Sequence, residues 1–465
     1  MRVSATVLGA CLMAAYAQAQ AVPRIGYVYP AGGQQGTTVR VTVGGQFVQG
    51  ADEAYVSGKG VTASVIEYVR PLDAGELGDT ARFLRDLVRR RWSARVMDAA
   101  ANGNAPDLPD HPWLRDLDEK TPGEVTRLWT RLFDPKKQPN AQISEQVTID
   151  VTIAPDAPPG DRELRVATAR GLTNPVRFQV GVLPEVCEEK LGGAEAVALP
   201  AVLNGQIMPG EVDHFRLRAR QGQRLVVRAQ ARRLIPYLAD AVPGWFQATM
   251  SLRDAHGNEV AYGDDWRFDP DPVLLCTIPE DGVYELEVRD ALYRGRDDFV
   301  YRIAAGELPF ATQVFPLGGQ EGAPTVASIV GWNLPTDKLT LDTTPGATAI
   351  RTAEVGQQQG LGNEIPHAVG SLPETLETEP NDTSDQAQQL TLPLIVNGRI
   401  GQAGDVDVFR FDGRAGEEVV AEVYARRLNS PLDPALRLVD STGAIVAAND
   451  DHDDPEMGLI THQAD

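Results

Sequence analysis

The chain repeats itself. Residues 202–265 contain Asn204-Gly205, then Gly210-Glu211-Val212-Asp213-His214-Phe215-Arg216, then Ala231-Arg232-Arg233-Leu234, then Gly263-Asp264-Asp265. Residues 396–451 contain Asn397-Gly398, then Gly404-Asp405-Val406-Asp407-Val408-Phe409-Arg410, then Ala425-Arg426-Arg427-Leu428, then Asn449-Asp450-Asp451. A shorter phrase also recurs, with Tyr29-Pro30-Ala31-Gly32-Gly33-Gln34-Gln35-Gly36 matching Phe315-Pro316-Leu317-Gly318-Gly319-Gln320-Glu321-Gly322. Modules duplicated in this order point to a string of domains used for binding, not to one enzyme built around one pocket.

The pattern inside the modules is β. Thr37–Val43, 61–69, 146–153, 162–167 and 175–182 alternate β-formers with polar residues and are punctuated by Gly and Pro turns, which reads as an immunoglobulin-type sandwich over 23–184. Within it, about 76–134, the period changes to helical: Phe83, Leu84, Leu87, Val88, Trp92 and Val96 form one run and Val125, Leu128, Trp129, Leu132 and Phe133 a second. Thr121-Pro122-Gly123-Glu124 before the second run is a capping box with proline at the first helical position. The segment therefore reads as a helical hairpin inserted in the sandwich, whose Arg89-Arg90-Arg91 is either a docking patch or a solvated face. Alternating runs across 202–306, with Gly282–Val288 the cleanest, predict a jelly roll. Residues 308–371 read as a shortened relative of the first module, and 391–465 as a second jelly roll without its last strands, so that the protein is expected to continue beyond residue 465. The fold class is mainly β, a tandem of Ig-like and jelly-roll sandwiches.

Composition bounds the partners. Against 43 basic residues stand 65 acidic ones, and the resulting charge of −22 repels nucleic acid and anionic lipid. Arg2, the apolar run Val3–Ala17 and Ala17-Gln18-Ala19 form a secretory signal over residues 1–19, too short for a stable membrane span. Leu8-Gly9-Ala10-Cys11 offers lipidation as an alternative processing route. In an exported chain Cys187 and Cys276 could oxidise, but Cys276 sits in an apolar strand, where a buried inert thiol is the simpler state. Zinc-finger spacing, His-Glu-x-x-His, Gly-x-Ser-x-Gly and a phosphate loop are all missing from the sequence. The aromatic residues Tyr237, Trp245, Phe246 and Trp266 in and near the insertion at about 235–247 are ligand candidates, able to stack on sugars or to plug the end of the sandwich.

The duplicated Gly-Asp/Glu-Val-Asp-x-Phe-Arg phrases, each after Asn-Gly, and Glu379-Pro380-Asn381-Asp382 ahead of the second copy, resemble the bacterial pre-peptidase C-terminal (PPC) domain. The Tyr/Phe-Pro-x-Gly-Gly openings resemble TIG/IPT-type Ig-like domains, and the order of modules is similar to that of large exported proteins of planctomycete-type bacteria. The resemblance implies β domains that accompany secreted peptidases and cell-surface proteins and that bind without doing chemistry. PPC domains in turn resemble the calcium-binding domains of clostridial collagenases, which implies a calcium site at Glu377, Glu379, Asn381, Asp382, Asp405 and Asp407; carboxylates and amide oxygens are the ligands calcium takes. The first copy departs from this pattern, since its linker Glu185-Val186-Cys187-Glu188-Glu189-Lys190 lacks Asn-Asp and Glu211 replaces the first Asp. Two functions follow as expectations: a secreted or envelope-associated non-catalytic protein that binds a protein or polysaccharide, or the accessory region of a larger secreted peptidase or other hydrolase.

Overall fold

The structure, a computed structural model, describes residues 22–93, 108–117, 119–133, 135, 140–188, 195–235, 246–346, 348–356, 360–453 and 463–464. The segment expected to be a signal (residues 1–19, with Cys11), Tyr237 and Trp245 lie outside them.

The first module is a two-sheet sandwich. Strands β1 (Arg24–Tyr29), β2 (Gly32–Gln34), β3 (Thr38–Gln46), β4 (Glu53–Val56) and β5 (Val61–Val69) precede two helices, α1 (Ala74–Ser93) and α2 (Pro122–Phe133), and β6 (Glu145–Ile153), β7 (Gly160–Thr168), β8 (Gly171–Leu172) and β9 (Val176–Gly181) follow. The sheets run β1-β3-β6-β5 and β2-β9-β7-β4. Alternation turns Val147, Ile149, Val151 and Ile153 inward against Tyr27, Leu164 and Phe178. The hairpin joins β5 to β6 and has its own core of Phe83, Leu84, Leu87, Leu114, Val125 and Leu128. As the sequence predicts, Thr121 caps α2: its N–H donates to Glu124 at 2.6 Å, and the Glu124 N–H to the Thr121 hydroxyl at 3.3 Å. Asp73 and Glu76 make the same reciprocal pair at the start of α1, both bonds 2.9 Å. Arg89 lies on the exposed side of α1.

The second module packs the sheet β10-β11-β18-β13-β16 on β12-β17-β14-β15. Its strands are β10 (Glu185–Cys187), β11 (Ala201–Gln206), β12 (Asp213–Ala219), β13 (Arg224–Gln230), β14 (Ala248–Arg253), β15 (Glu259–Gly263), β16 (Val273–Thr277), β17 (Gly282–Asp290) and β18 (Val300–Gly306). Leu203, Phe215, Leu225, Met250, Leu286 and Tyr301 fill the space between them. Cys187 and Cys276 sit on the opposite edge strands of one five-stranded sheet, too far apart to bridge to each other.

The third module repeats the first in small: β19 (Phe310–Phe315), β20 (Gly318–Gln320), β21 (Thr325–Trp332), β22 (Lys338–Leu341), β23 (Ile350–Glu354) and β24 (Glu364–Gly370). Its opening β20 pairs in parallel with β24 as β2 does with β9, and both openings carry a cis proline, Pro30 and Pro316. The last segment has β25 (Glu374–Leu376), β26 (Gln388–Gln389), β27 (Ile395–Asn397), β28 (Phe409–Arg410), β29 (Leu436–Val439) and β30 (Ile445–Asn449). Residues 418–424, which align with β13, form no strand. In the second module β13 is held between β16 and β18, and no such ladder partners flank 418–424 among the described residues.

The modules are joined through the Arg-Arg-Leu repeat. Residues Arg232–Leu234 form a single 3₁₀ turn that drives Leu234 into the first module's core beside Val300. Asp271 caps this turn, accepting the N–H groups of Arg232 at 2.6 Å and Arg233 at 3.0 Å. The second turn, Arg426–Leu428, buries Leu428 against β24 of the third module. Arg302 bridges the first junction, with a two-pronged pair to Glu185 at 2.8 Å and a bond to Gln179 of β9 at 3.1 Å.

Candidate functional site

The linker Glu374–Asn381 and the strands around β27 build an acidic site. β25 pairs in parallel with β27, setting Leu376 opposite Asn397 and placing Glu377 just beyond the ladder. There Glu377 accepts the Arg399 N–H at 2.8 Å. The chain then turns through Glu379 and Pro380, with the Asn381 N–H donating to the Glu379 carboxylate at 2.9 Å, and the Asn381 carbonyl accepts the Val408 N–H at 2.9 Å, next to Asp407. Gly398, of the repeated Asn-Gly, makes the approach sterically feasible: a Cβ there would lie 2.8 Å from a Glu377 oxygen and 3.2 Å from an Asp407 oxygen.

Glu377, Glu379 and Asp407 thus meet with carboxylate oxygens within 4.8 Å of one another. Burial, and then the charges of Glu377, Asp405 and Glu379, push the Asp407 carboxyl up to about 6. The Asp405 carboxylate is held below its ordinary range, first by the Gly401 N–H at 2.5 Å, and Asp382 lies beside it. Asn381 is the unusual member. It is 0% exposed, and neither its amide nitrogen nor its amide oxygen has a partner; one oxygen each of Glu377 and Asp407 is also buried without one. A buried amide without hydrogen bonds costs about 1–3 kcal/mol, so this cluster is incomplete as a protein-only arrangement. Hard oxygen donors converging on one point have the chemistry of a calcium-type cation, and all six residues inferred from sequence fall in this region.

The aromatic candidates fare differently. Phe246 is buried and stacks on Phe299 with ring centroids 5.2 Å apart, so it plugs the core and faces no ligand. Trp266 is half-buried, edge-on to Phe310 at 5.1 Å, in an apolar seam with Val226, Leu308 and Trp332 that joins the second and third modules. The sequence leaves open whether these aromatics are a ligand platform or a plug of the sandwich end; the partners that decide for packing, Phe299 and Phe310, come from distant parts of the chain. His214 is bonded to Glu285 across the exposed strand face at 3.0 Å. The acidic run from Asn449 joins no cluster of three ligand groups among the described residues.

No family model matches the chain. A stretch of 76 residues, 16% of the chain, is 38% identical to a probable subtilase-type serine protease of Deinococcus radiodurans, and spans 10% of that protein's length. Among solved structures, the pre-peptidase C-terminal domain of a Bacillus anthracis collagenase aligns over 26% of the chain and 96% of that domain at 14% identity, with a TM-score of 0.18. A Bacteroides ovatus protein of a mixed-linkage glucan utilization locus, solved with a heptasaccharide, aligns over 59% of this chain and 41% of its own at 9% identity and a TM-score of 0.15.

Sequence reasoning did not single out a second carboxylate pair, placed as the first is. Glu188 and Asp213 in the second module take the places that Glu377 and Asp407 take in the last: Cys187 pairs opposite Asn204 as Leu376 does opposite Asn397, and Glu188 accepts the Gln206 N–H as Glu377 accepts that of Arg399. The duplicated Asn-Gly and Val-Asp were the available signal.

Proposed function

We propose that this chain is an exported, non-catalytic binding protein whose last module closes its linker onto the sandwich around a calcium ion. The observation that carries this reading is Asn381, fully buried with both polar side-chain atoms unpartnered beside three converging carboxylates. Glu377, Glu379, Asn381 and Asp407 would hold the ion, with Asp382 and Asp405 behind them. Calcium would supply charge neutralisation and a staple between linker and strand, leaving outward loops to meet a protein or polysaccharide. Calcium titration of the full chain, followed by thermal unfolding, tests it. Stabilisation at millimolar calcium that disappears in Asp407→Ala is expected; the absence of any stabilisation rejects the cation.

A second reading has its own support. The 76 residues similar to a subtilase-type protease favour an accessory region of a larger secreted hydrolase. It predicts that the chain alone turns over no substrate and that fusion to a hydrolase changes where that enzyme binds. Turnover by the purified chain, abolished by one substitution in a sandwich, would sink both readings.

A further inference from the structure

The second module carries the same carboxylate pair in a different chemical state. Its linker residue Glu188 accepts the Gln206 N–H at 3.1 Å and the Tyr29 hydroxyl of the first module at 3.3 Å, both on one oxygen. Its other oxygen is buried with no donor. Asp213, 7% exposed, lies against it and accepts the Tyr301 hydroxyl at 2.5 Å. The space above the Asn-Gly glycine also differs. A Cβ on Gly205 would fall 2.0 Å from the Tyr301 hydroxyl oxygen, whereas at Gly398 the equivalent space opens on carboxylate oxygens. Tyr301 thus stands over the Asn-Gly glycine of the second module, with its hydroxyl on Asp213. The position of Tyr29 is Phe315 in the third module, which has no hydroxyl to offer and stacks under Arg399 at 3.7 Å.

We propose that Glu188 and Asp213 are a proton-closed counterpart of the Glu377/Asp407 site: one proton shared between the two carboxyls stands where the last module takes a cation, and the closed pair is the joint that fastens the linker between the first and second modules. The donor count requires it. Two hydroxyls and one N–H serve three of the contacts, and the remaining Glu188 oxygen faces a carboxylate, an arrangement that two anions cannot hold without a proton between them. The groups facing Glu188 are Tyr29 from β1, Gln206 from β11, Asp213 from β12, Tyr301 from β18 and Glu211 from the turn before β12; Asp213 also feels His214. None of these except a protonated His214 is a cation. Burial raises both carboxyls; at Glu188 the facing Asp213 adds to the rise and carries it far above the usual range, while at Asp213 the bonds with Glu188 and Tyr301 offset part of it. The inference rests on the calcium reading only for the comparison with the last module.

Infrared spectroscopy of the full chain at pH 8, above the ordinary and the moderately raised carboxyls, should show a protonated-carboxyl band that Glu188→Gln removes. Glu188→Gln, whose amide N–H replaces the shared proton, should keep the thermal midpoint of the second module, and Glu188→Ala should lower it. Calcium bound by Asp407→Ala should be nil. No band at pH 8, equal destabilisation by Gln and Ala, or calcium retained by Asp407→Ala and lost on adding Glu188→Gln would each overturn the proposal. If the wild type binds no calcium at all, the reading of the last module fails while the band still decides this one.

Discussion

Leu234 offers the sharpest test of how the modules are held. It belongs by sequence to the second module, yet it is 3% exposed inside the first module's core. Leu→Ala in a core costs the lost transfer free energy plus a cavity term, about 2–5 kcal/mol. Here the loss falls on docking, because the turn that carries Leu234 needs neither sandwich to open. The polar links that remain across the joint include Arg233–Asp161 at 3.8 Å, partly exposed, and Arg302–Gln179 at 3.1 Å, and exposed ion pairs add at most about 1 kcal/mol. With about 3 kcal/mol removed, the docked population falls by roughly two orders of magnitude relative to the undocked one. Small-angle scattering should show a longer particle for Leu234→Ala, and hydrogen exchange should quicken at β9 and β18 with β12–β17 still protected. Leu225→Ala, in the second module's own core, is the control and should lower that module's unfolding midpoint instead. If Leu234→Ala leaves the scattering unchanged and lowers the midpoint as Leu225→Ala does, the plug is only a core residue and the reasoning fails.

Other perturbations follow from the same contacts. Arg302→Met leaves the half-buried Glu185 carboxylate with the Asn204 amide but no cation, a loss of up to about 3 kcal/mol in chemical unfolding, and adding Glu185→Gln should recover much of it. Gly398→Ala pushes a Cβ onto Glu377 and Asp407 and should abolish calcium stabilisation while Gly404→Ala, where a Cβ meets open space, should cost only the strain of its positive φ. Asp271 is raised by burial to about 6, so its contribution to stability is full below the ordinary Asp range and is lost as pH rises from there through about 6; Asp271→Asn should flatten the fall in thermal midpoint measured between about pH 4 and 6. Asp290, fully buried but bonded to Arg294 and several N–H groups, is lowered, so its contribution is present above the ordinary Asp range and is lost on acidification, and Asp290→Asn should remove that part of the acid transition followed by circular dichroism.

What the sequence could and could not say divides along range. The helical hairpin is readable because its information is local: the 3.6-residue period and a cap three residues away specify α2 regardless of the rest of the chain. The sandwich strands are readable by the two-residue alternation of β6, β12 and β17 for the same reason. The acidic site is half-readable. Its residues carry a recognisable order, but whether the carboxylates converge depends on β25 pairing in parallel with β27, a contact no local pattern encodes. The same dependence hides Glu188. The linker does repeat, Leu183-Pro184-Glu185-Val186-Cys187-Glu188 against Leu372-Pro373-Glu374-Thr375-Leu376-Glu377, but the stretch from there to Asn-Gly differs in length, so only the strand register shows that Glu188 meets Asp213 as Glu377 meets Asp407. Arg-Arg-Leu shows the limit most clearly. Repetition marked it as important, but a leucine after two arginines reads as the edge of its own module. Its burial is decided by a neighbouring sandwich that offers an apolar slot and by Asp271, whose carboxylate satisfies the turn's free N–H groups. A repeated phrase that serves an interface, and not the fold of the unit that carries it, can be located from sequence but can be interpreted only once both partners are in place.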